Sequence, residues 1–228
     1  MKSNSTAFGI NIKSIILAGL SILLALPAAV SCPCTELKVP EERPELSIKE
    51  GLDFSKSSQY KKEFSAAVAD ARKACEKHLG EKNLAIVSDI DETVLSNIPY
   101  FKTHADIGWD DWQTWLDSEG STILKPTADW LAWARKKGFA IFFITGRKES
   151  DRMHTINNLI KAGIDYDGLY MRPDGNKAPA AEMKTKFRTD IENMGFKIIV
   201  SIGDQYSDLA GGHAEDCEKL PNKLYFIK

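Results

Sequence analysis

Short apolar runs, each followed at once by polar residues, recur along the chain from residue 84 onward. The clearest is Leu84–Ser88, which stops at the alternating acids Asp89 and Asp91; Phe139–Ile144 and Lys197–Ile202 follow the same pattern. A run of this length is typical of a parallel strand that helices cover on both faces. Ligands bind beyond the carboxyl ends of such strands. The pattern therefore predicts that the polar residues after these strands form a site.

The segments between the strands carry a helical pattern. Apolar residues from Ser55 to about Gly80 recur at intervals of three and four, and Gly80 is a plausible helix end. The other predicted elements are helices at 125–137, 151–162 and 178–194, a short strand at 168–171 and a final edge strand at 222–227. Strands that alternate with helices predict an α/β fold with a parallel sheet.

The segment from Val94 to about Lys125 interrupts this alternation. Its aromatic residues include Tyr100, Phe101, Trp109, Trp112 and Trp115. Two interpretations remain open. In one, the rings form a small core; in the other, the segment is a lid over the polar strand ends, and one or two rings stack on a substrate. Both can hold if the segment is an insertion that docks above the strand ends.

The N-terminal residues differ in composition from the rest of the chain. Lys2 and Lys13 precede an uncharged, apolar stretch, so residues 1–31 are typical of a secretory signal. The signal ends in Ala29-Val-Ser-Cys32, which resembles a bacterial lipoprotein processing site and would place a lipid on Cys32; plain signal cleavage is the alternative. Residues 32–54 then predict an extended tether, and 55–228 the folded domain.

The four cysteines are Cys32, Cys34, Cys75 and Cys217, and none has the spacing of a zinc site. Export leads to an oxidising compartment, in which disulfides form. Cys75 and Cys217 are the two cysteines inside the predicted domain. Either they form a bridge, or both are buried thiols.

Overall charge argues against one class of partner. The 228 residues carry a formal net charge of −2, and no basic face is evident. A protein that binds nucleic acid normally presents such a face. We therefore expect no nucleic-acid polymer as a partner.

Polar residues after the second and third strands supply the parts of a phosphate site. At Thr145-Gly146, a hydroxyl and backbone N–H groups at a strand end form a seat for phosphate. Asp204 and Asp208 follow the third strand. Carboxylates that converge from neighbouring strand ends repel unless a cation neutralises them, and Mg²⁺ prefers such oxygen ligands. One aspartate could then attack phosphorus and form an aspartyl-phosphate.

Taken together and in order, these motifs resemble those of the haloacid dehalogenase (HAD) superfamily. Within it the chain is similar to the subfamily IIIB acid phosphatases, which include bacterial class C lipoprotein enzymes and plant vegetative storage protein-like phosphatases. The stretches that resemble the first, second and fourth motifs are Asp89-Ile-Asp-Glu-Thr, Phe143-Ile-Thr-Gly-Arg147 and Gly203-Asp-Gln-Tyr-Ser-Asp208. The third is matched by Glu182-Met-Lys184-Thr, with Met183 in place of the usual Tyr and Lys186 close enough to compete.

The resemblance implies a three-layer α/β sandwich with a parallel sheet and a small helical cap at about 94–125. It implies that Asp89 is the nucleophile and Asp91 the general acid and base. Thr145, Gly146 and Lys184 would hold the transferring phosphoryl group.

The resemblance also implies a Mg²⁺ site. The ligands would be Asp89, the backbone carbonyl of Asp91, and Asp204, with Asp208 in support of the metal or the lysine. The expected protein is an exported, lipid-anchored acid phosphatase that hydrolyses small phosphomonoesters.

Substrate choice follows from the cap. Tyr100 and Phe101 lie shortly after the nucleophile strand, so we expect them to stack aromatic leaving groups, nucleotides included. The same intermediate could pass its phosphate to an alcohol, which would make the protein a phosphotransferase. A surface binding or storage protein on the same fold is the non-enzymatic alternative.

Overall fold

Five parallel strands form the central sheet of the computed structural model, which describes residues 33–41, 47–104 and 108–227. These five are β1 (Leu84–Ser88), β4 (Ala140–Lys148), β5 (Gly168–Arg172), β6 (Lys197–Gly203) and β7 (Asp216–Lys219), and a separate pair consists of β2 (Leu95–Ser96) and β3 (Thr122–Ile123). The helices are α1 (Pro33–Glu36), α2 (Ile48–Lys56), α3 (Ser58–Glu76), α4 (Ile98–Phe101), α5 (Trp109–Asp117), α6 (Lys125–Lys136), α7 (Arg152–Lys161) and α8 (Ala180–Asn193).

Strand order places a crevice beside β1. The order is β5-β4-β1-β6-β7, and every neighbouring pair is parallel. The chain moves outward from β1 to β4 and β5, and then crosses back to β6 on the other side of β1. Ligands of open α/β sheets bind where the strand order reverses in this way, at the carboxyl ends of the strands.

Helices cover both faces of the sheet. Alternate residues of β1 point to opposite faces, so Ile86 packs with α3, α6 and α7, whereas Val87 packs with α8. Both side chains are buried, and each such burial stabilises the fold by about 1.5–3 kcal/mol. The predicted three-layer sandwich with a parallel sheet is confirmed.

The inserted cap consists of β2, α4, α5 and β3. Its two strands pair antiparallel, Leu95 with Ile123 and Ser96 with Thr122, and so bring the two ends of the insertion together. The aromatic residues between them form a separate apolar cluster with Leu224 of the C-terminal segment. The cap therefore packs around an apolar cluster that is separate from the main core and is shared with the C-terminal segment and α2.

The prediction of a final edge strand at 222–227 is wrong. The edge strand beside β6 is β7, and residues 222–227 form an irregular segment that packs against the cap. The sequence of β7 is Asp-Cys-Glu-Lys, which carries no apolar signal because an edge strand is only partly buried. The apolar residues of 222–227 reflect contact with the cap instead, as Leu224 shows.

The segment predicted as an extended tether contains regular structure. Helix α2 begins after Ser47, whose hydroxyl accepts a hydrogen bond from the Glu50 N–H at 3.3 Å while the Glu50 carboxylate accepts the Ser47 N–H at 2.8 Å. This reciprocal capping box was visible in the sequence as Ser-x-x-Glu. Gly51 lets α2 approach the C-terminal segment, because a Cβ there would lie 2.5 Å from the Lys223 carbonyl oxygen. The predicted signal and the lipid site at Cys32 lie outside the described residues.

A disulfide joins Cys34 to Cys217, with 5.5 Å between the Cα atoms. Cys75 is a buried thiol whose pKa burial raises to about 12. For Cys75, the prediction of a buried thiol is confirmed. Cys217 neither bridges to Cys75 nor remains a thiol, so both predicted alternatives are wrong for it. The reason is that Cys75 packs on the α3 face of the sheet, whereas Cys217 packs on the face that carries α8.

No helix in the described part of the chain is both long and apolar enough to cross a membrane.

Candidate active site

Asp89 lies at the carboxyl end of β1, where its backbone N–H donates to the Ile202 carbonyl of β6 at 2.9 Å. Lys184 reaches it from α8. The Lys184 Nζ lies 2.6 Å from Asp89 Oδ1 and 2.6 Å from Asp208 Oδ1, and all three side chains are buried. Lys186 is exposed and pairs with Asp190. The structure thus brings Lys184, and not Lys186, to the strand ends.

Helix α8 also fixes the loop that carries Asp208. Arg188, one turn after Lys184, is fully buried and donates to the backbone carbonyl of Asp208 at 2.7 Å and of Gly212 at 2.9 Å. The basic run Lys184 to Arg188 therefore contains two buried cations four residues apart on one helix face. The sequence analysis missed Arg188, although its spacing of four residues from Lys184 indicates that the two share a helix face.

Three carboxylates meet at this point. Asp89, Asp204 and Asp208 each offer an oxygen, and these oxygens lie within 4.8 Å of one another. The Thr93 hydroxyl lies 3.4 Å from Asp89 Oδ2 and 3.5 Å from Asp204 Oδ1. A compact set of hard oxygen donors fits a divalent cation. The sequence analysis gave Asp208 only a supporting role, whereas its carboxylate stands within the cluster.

Electrostatics argue for a cation at the cluster. Burial raises the pKa of Asp204 to about 7, and the nearby charges of Asp208 and Glu92 add to that rise. Burial also raises the pKa of Asp89 well above its ordinary value, and the Lys184 ammonium offsets this only in part. Without a further positive charge these carboxylates resist ionisation. A bound cation would remove that penalty.

The Asp91 carboxylate turns away from the cluster toward Arg147. The Arg147 guanidinium donates from Nη2 to Oδ1 at 2.7 Å and from Nε to Oδ2 at 3.0 Å, and Asn97 Nδ2 donates to Oδ1 at 2.7 Å. Burial alone would raise the pKa of Asp91, but Arg147 and Asn97 outweigh it and lower the pKa. Arg147 is itself buried and donates further to Thr155 and Asn158. The sequence analysis named Arg147 only as the last residue of the stretch that resembles the second motif.

Thr145 and Gly146 lie at the same sheet edge. Thr145 is fully buried, and its hydroxyl accepts the Arg147 N–H at 3.1 Å. Both residues belong to β4, but its pairing with β5 is irregular between Ile144 and Lys148, so they stand outside the regular ladder. Gly146 is exposed, and nothing stands within 4 Å of where its Cβ would be. This part of β4 is thus open to a ligand at Gly146.

The C-terminal segment closes one side of the cluster. Asp204 Oδ2 accepts hydrogen bonds from Asn222 Nδ2 at 2.5 Å and from Gln205 Nε2 at 2.6 Å. A cavity of about 750 Å³ opens beside Asp204, and its lining includes Tyr206 and Lys219. The sequence analysis missed Asn222, because a polar side chain in an irregular segment gives no periodic signal.

The prediction that Tyr100 and Phe101 stack on a substrate is wrong. They are 0% and 2% exposed and pack with Leu224 and Trp112. The Trp112 ring stands edge-on to Tyr100 at 5.2 Å between centroids. Of the two interpretations of the aromatic segment, these two rings support the cap core. The sequence pattern did not distinguish the two interpretations, because an aromatic residue in a core and one that stacks on a substrate give the same pattern.

Comparisons with known proteins place the chain in one family. The family model of the HAD superfamily, subfamily IIIB (acid phosphatase), matches residues 29–228. Acid phosphatase 1 of Solanum lycopersicum is 34% identical over 151 residues, which are 62% of this chain and 58% of that protein. Vegetative storage protein 1 of Arabidopsis thaliana is 30% identical over 148 residues, which are 62% of this chain and 54% of that protein. The chain thus matches between about half and three fifths of the length of these two relatives.

A solved structure shares the fold. The class C acid phosphatase from Bacillus anthracis, determined with tungstate bound, superposes with a TM-score of 0.61 at 21% identity, over 78% of this chain and 85% of that one. The family model covers nearly the whole chain, and the strand-end motifs on which the resemblance rests meet at one edge of the sheet. The protein belongs to the HAD superfamily, subfamily IIIB, the acid phosphatase family.

Proposed function

We propose that the protein is a phosphomonoesterase that works through an aspartyl-phosphate on Asp89. The observation that carries this proposal is the position of the Asp89 carboxylate at the end of β1, 2.6 Å from the Lys184 ammonium and in a cluster of three carboxylates that could hold a cation. A buried carboxylate beside fixed positive charge can approach a phosphate dianion without prohibitive repulsion.

Each residue of the site has a role in this proposal. Asp89 attacks phosphorus, and the ester oxygen leaves as the new P–O bond forms. Thr145 and the open backbone at Gly146 hold the transferring phosphoryl oxygens. Burial disfavours the charge of Lys184, but Asp208 and Asp89 outweigh burial and raise its pKa. Lys184 therefore stays an ammonium and neutralises charge on the phosphoryl oxygens.

Asp91 moves the proton. It carries a proton to the leaving oxygen, and as a carboxylate it then takes one from the water that hydrolyses the intermediate. Arg147 favours the ionised form, which suits the second step. The negative charge of a bound phosphoryl group opposes Arg147 and raises the proton affinity of Asp91, which suits the first.

We propose Mg²⁺ as the cation, held by the carboxylates of Asp89 and Asp204 and the backbone carbonyl of Asp91, with Asp208 in support. When bound, Mg²⁺ neutralises phosphate charge and polarises the phosphoryl oxygens.

The proposed substrates are small phosphomonoesters. A preference for nucleotides rested on Tyr100 and Phe101, whose burial removes its basis, so it is not part of the proposal. Transfer of the phosphoryl group to an alcohol remains the second activity of the same intermediate. A storage protein without turnover remains the non-enzymatic alternative, since the relatives include a vegetative storage protein.

We further propose that the protein is exported and anchored through a lipid on Cys32. The disulfide between Cys34 and Cys217 supports export, because such bonds persist in oxidising compartments.

Hydrolysis of a chromogenic phosphomonoester, with and without EDTA, tests the proposed function. We expect turnover with Mg²⁺, a fall in rate of at least about 100-fold after chelation, and recovery when Mg²⁺ is restored. Asp204→Asn should need more Mg²⁺ for half-maximal rate, whereas Lys186→Met, a change in an exposed ion pair, should behave as wild type.

Two results would decide against parts of this proposal. If the rate is unchanged after chelation, the proposed role of Mg²⁺ is wrong. A folded, Mg²⁺-loaded protein that turns over no phosphomonoester would favour the storage or binding alternative.

A further inference from the structure

Asn97 lies between the cap and the proposed acid and base. It is fully buried and directly follows β2 of the cap. On one side its Nδ2 donates to Asp91 Oδ1 at 2.7 Å and to Glu92 Oε2 at 3.2 Å. On the other side its Oδ1 accepts from Trp115 Nε1 at 3.0 Å and from the Ser121 hydroxyl at 2.6 Å. One amide group thus connects two points of the cap to Asp91.

The orientation of this amide is set by its partners. An Asn side chain has two N–H donors and an oxygen with two acceptor positions, and at Asn97 all four are used. A flipped amide would aim its oxygen at the two carboxylates and an N–H group at the Trp115 indole N–H, which can only donate. The cap therefore fixes which atom Asn97 presents to Asp91.

The loop around Asn97 is held in an unusual conformation. Glu92 has a φ of +52°, a left-handed backbone that a Glu seldom adopts. Its buried carboxylate accepts the Asn97 N–H at 2.5 Å and the Tyr225 hydroxyl at 2.9 Å. Such conformations persist only where the surroundings hold them, and they concentrate at functional sites. Here the strained turn lies between Asp91 and its Asn97 contact.

We propose that Asn97 is a positioning residue through which the docked cap sets the direction of the Asp91 carboxylate. Arg147 donates to both carboxylate oxygens of Asp91, and Asn97 supplies Oδ1 with a further donor that is held by the cap. This inference rests on the proposed role of Asp91 in proton transfer.

The proposal has a chemical consequence. In the first step the Asp89–phosphorus bond forms, the bond from phosphorus to the leaving oxygen breaks, and the proton of Asp91 passes to that oxygen, which leaves as an alcohol. A phenol of low pKa leaves without help, whereas a phenol or alcohol of high pKa needs the proton. A misdirected Asp91 should therefore harm substrates with poor leaving groups selectively. A merely structural defect would lower kcat/KM by a similar factor for all substrates.

The test is kcat/KM for a series of aryl phosphates whose phenols span pKa values of about 4 to 10. Asp91→Asn should steepen the dependence on leaving-group pKa most. Asn97→Ala should lose about 10- to 100-fold for the poorest leaving group and less than about 3-fold for the best. Trp115→Phe, which removes the indole N–H and keeps a ring in the cap core, should show the same trend with a smaller loss.

Trp112→Phe is the matched control, because it changes a ring of the same aromatic cluster that makes no hydrogen bond to Asn97 among those described. It should leave the slope unchanged. If Asn97→Ala does not fold, Trp115→Phe alone decides.

Three outcomes are informative. A steeper slope in the Asn97 and Trp115 variants supports the proposal. If the dependence on leaving-group pKa is steeper in Asp91→Asn but unchanged in Asn97→Ala and Trp115→Phe, the role of Asn97 is overturned and the acid role of Asp91 stands. An unchanged slope in Asp91→Asn overturns the proposed acid role, and this inference with it.

Discussion

Asp89→Asn is expected to abolish turnover while leaving the protein folded. An amide is a far weaker nucleophile than a carboxylate, so we expect kcat to fall by at least about 10⁴-fold. The fold should survive because the amide keeps the shape of the side chain, and because Lys184 retains Asp208 at 2.6 Å as a partner. Burial also raises the pKa of Asp89, so the metal-free fold should tolerate a neutral side chain at this position.

Two measurements check this result: kcat at saturating Mg²⁺, and the midpoint of thermal unfolding. Asp190→Asn is the matched control, since it makes the same chemical change in an exposed ion pair with Lys186 and should alter neither quantity by much. A folded Asp89→Asn protein with the wild-type rate would refute the nucleophile assignment.

Loss of the Cys34–Cys217 disulfide is the second large effect expected. The two residues are 183 positions apart, so the bond removes much conformational freedom from the unfolded chain. The chain-entropy relation gives about 5 kcal/mol for a loop of this size. The double variant Cys34→Ser/Cys217→Ser should therefore unfold at a clearly lower urea concentration than the oxidised wild type.

Reduction supplies the control for the disulfide. A reductant should lower the midpoint of the wild type and leave that of the double variant unchanged. Thiol counting on the unfolded, unreduced domain from residue 33 onward should give one thiol, Cys75. Three thiols, or equal midpoints for the two proteins, would contradict the pairing.

Elements with strong local signals were predictable. Strand β1 was predicted at its observed bounds because five consecutive buried residues end at two acids. The α8 lysine was identified by its motif, and helix geometry explains the outcome: Lys184 shares a face with the buried Arg188, whereas Lys186 lies on the exposed side.

Features set by tertiary contacts were not predictable in the same way. Neither alternative for Cys217, a bridge to Cys75 or a buried thiol, included Cys34, because sequence does not show which face of the sheet a cysteine occupies. Asn97 carried no periodic or motif signal in our reading, and its importance comes from four side-chain contacts that only the docked cap creates. Tyr100 was assigned to the substrate for a similar reason, since its burial depends on the cap core and on Leu224.

The most direct test of the central claim is the stereochemistry of phosphoryl transfer. The substrate is a phosphomonoester made chiral at phosphorus with three oxygen isotopes, and the acceptor is an alcohol. An aspartyl-phosphate on Asp89 requires two successive in-line displacements, each of which inverts the configuration, so the account predicts overall retention. Overall inversion would mean a single direct transfer and would contradict the proposed mechanism.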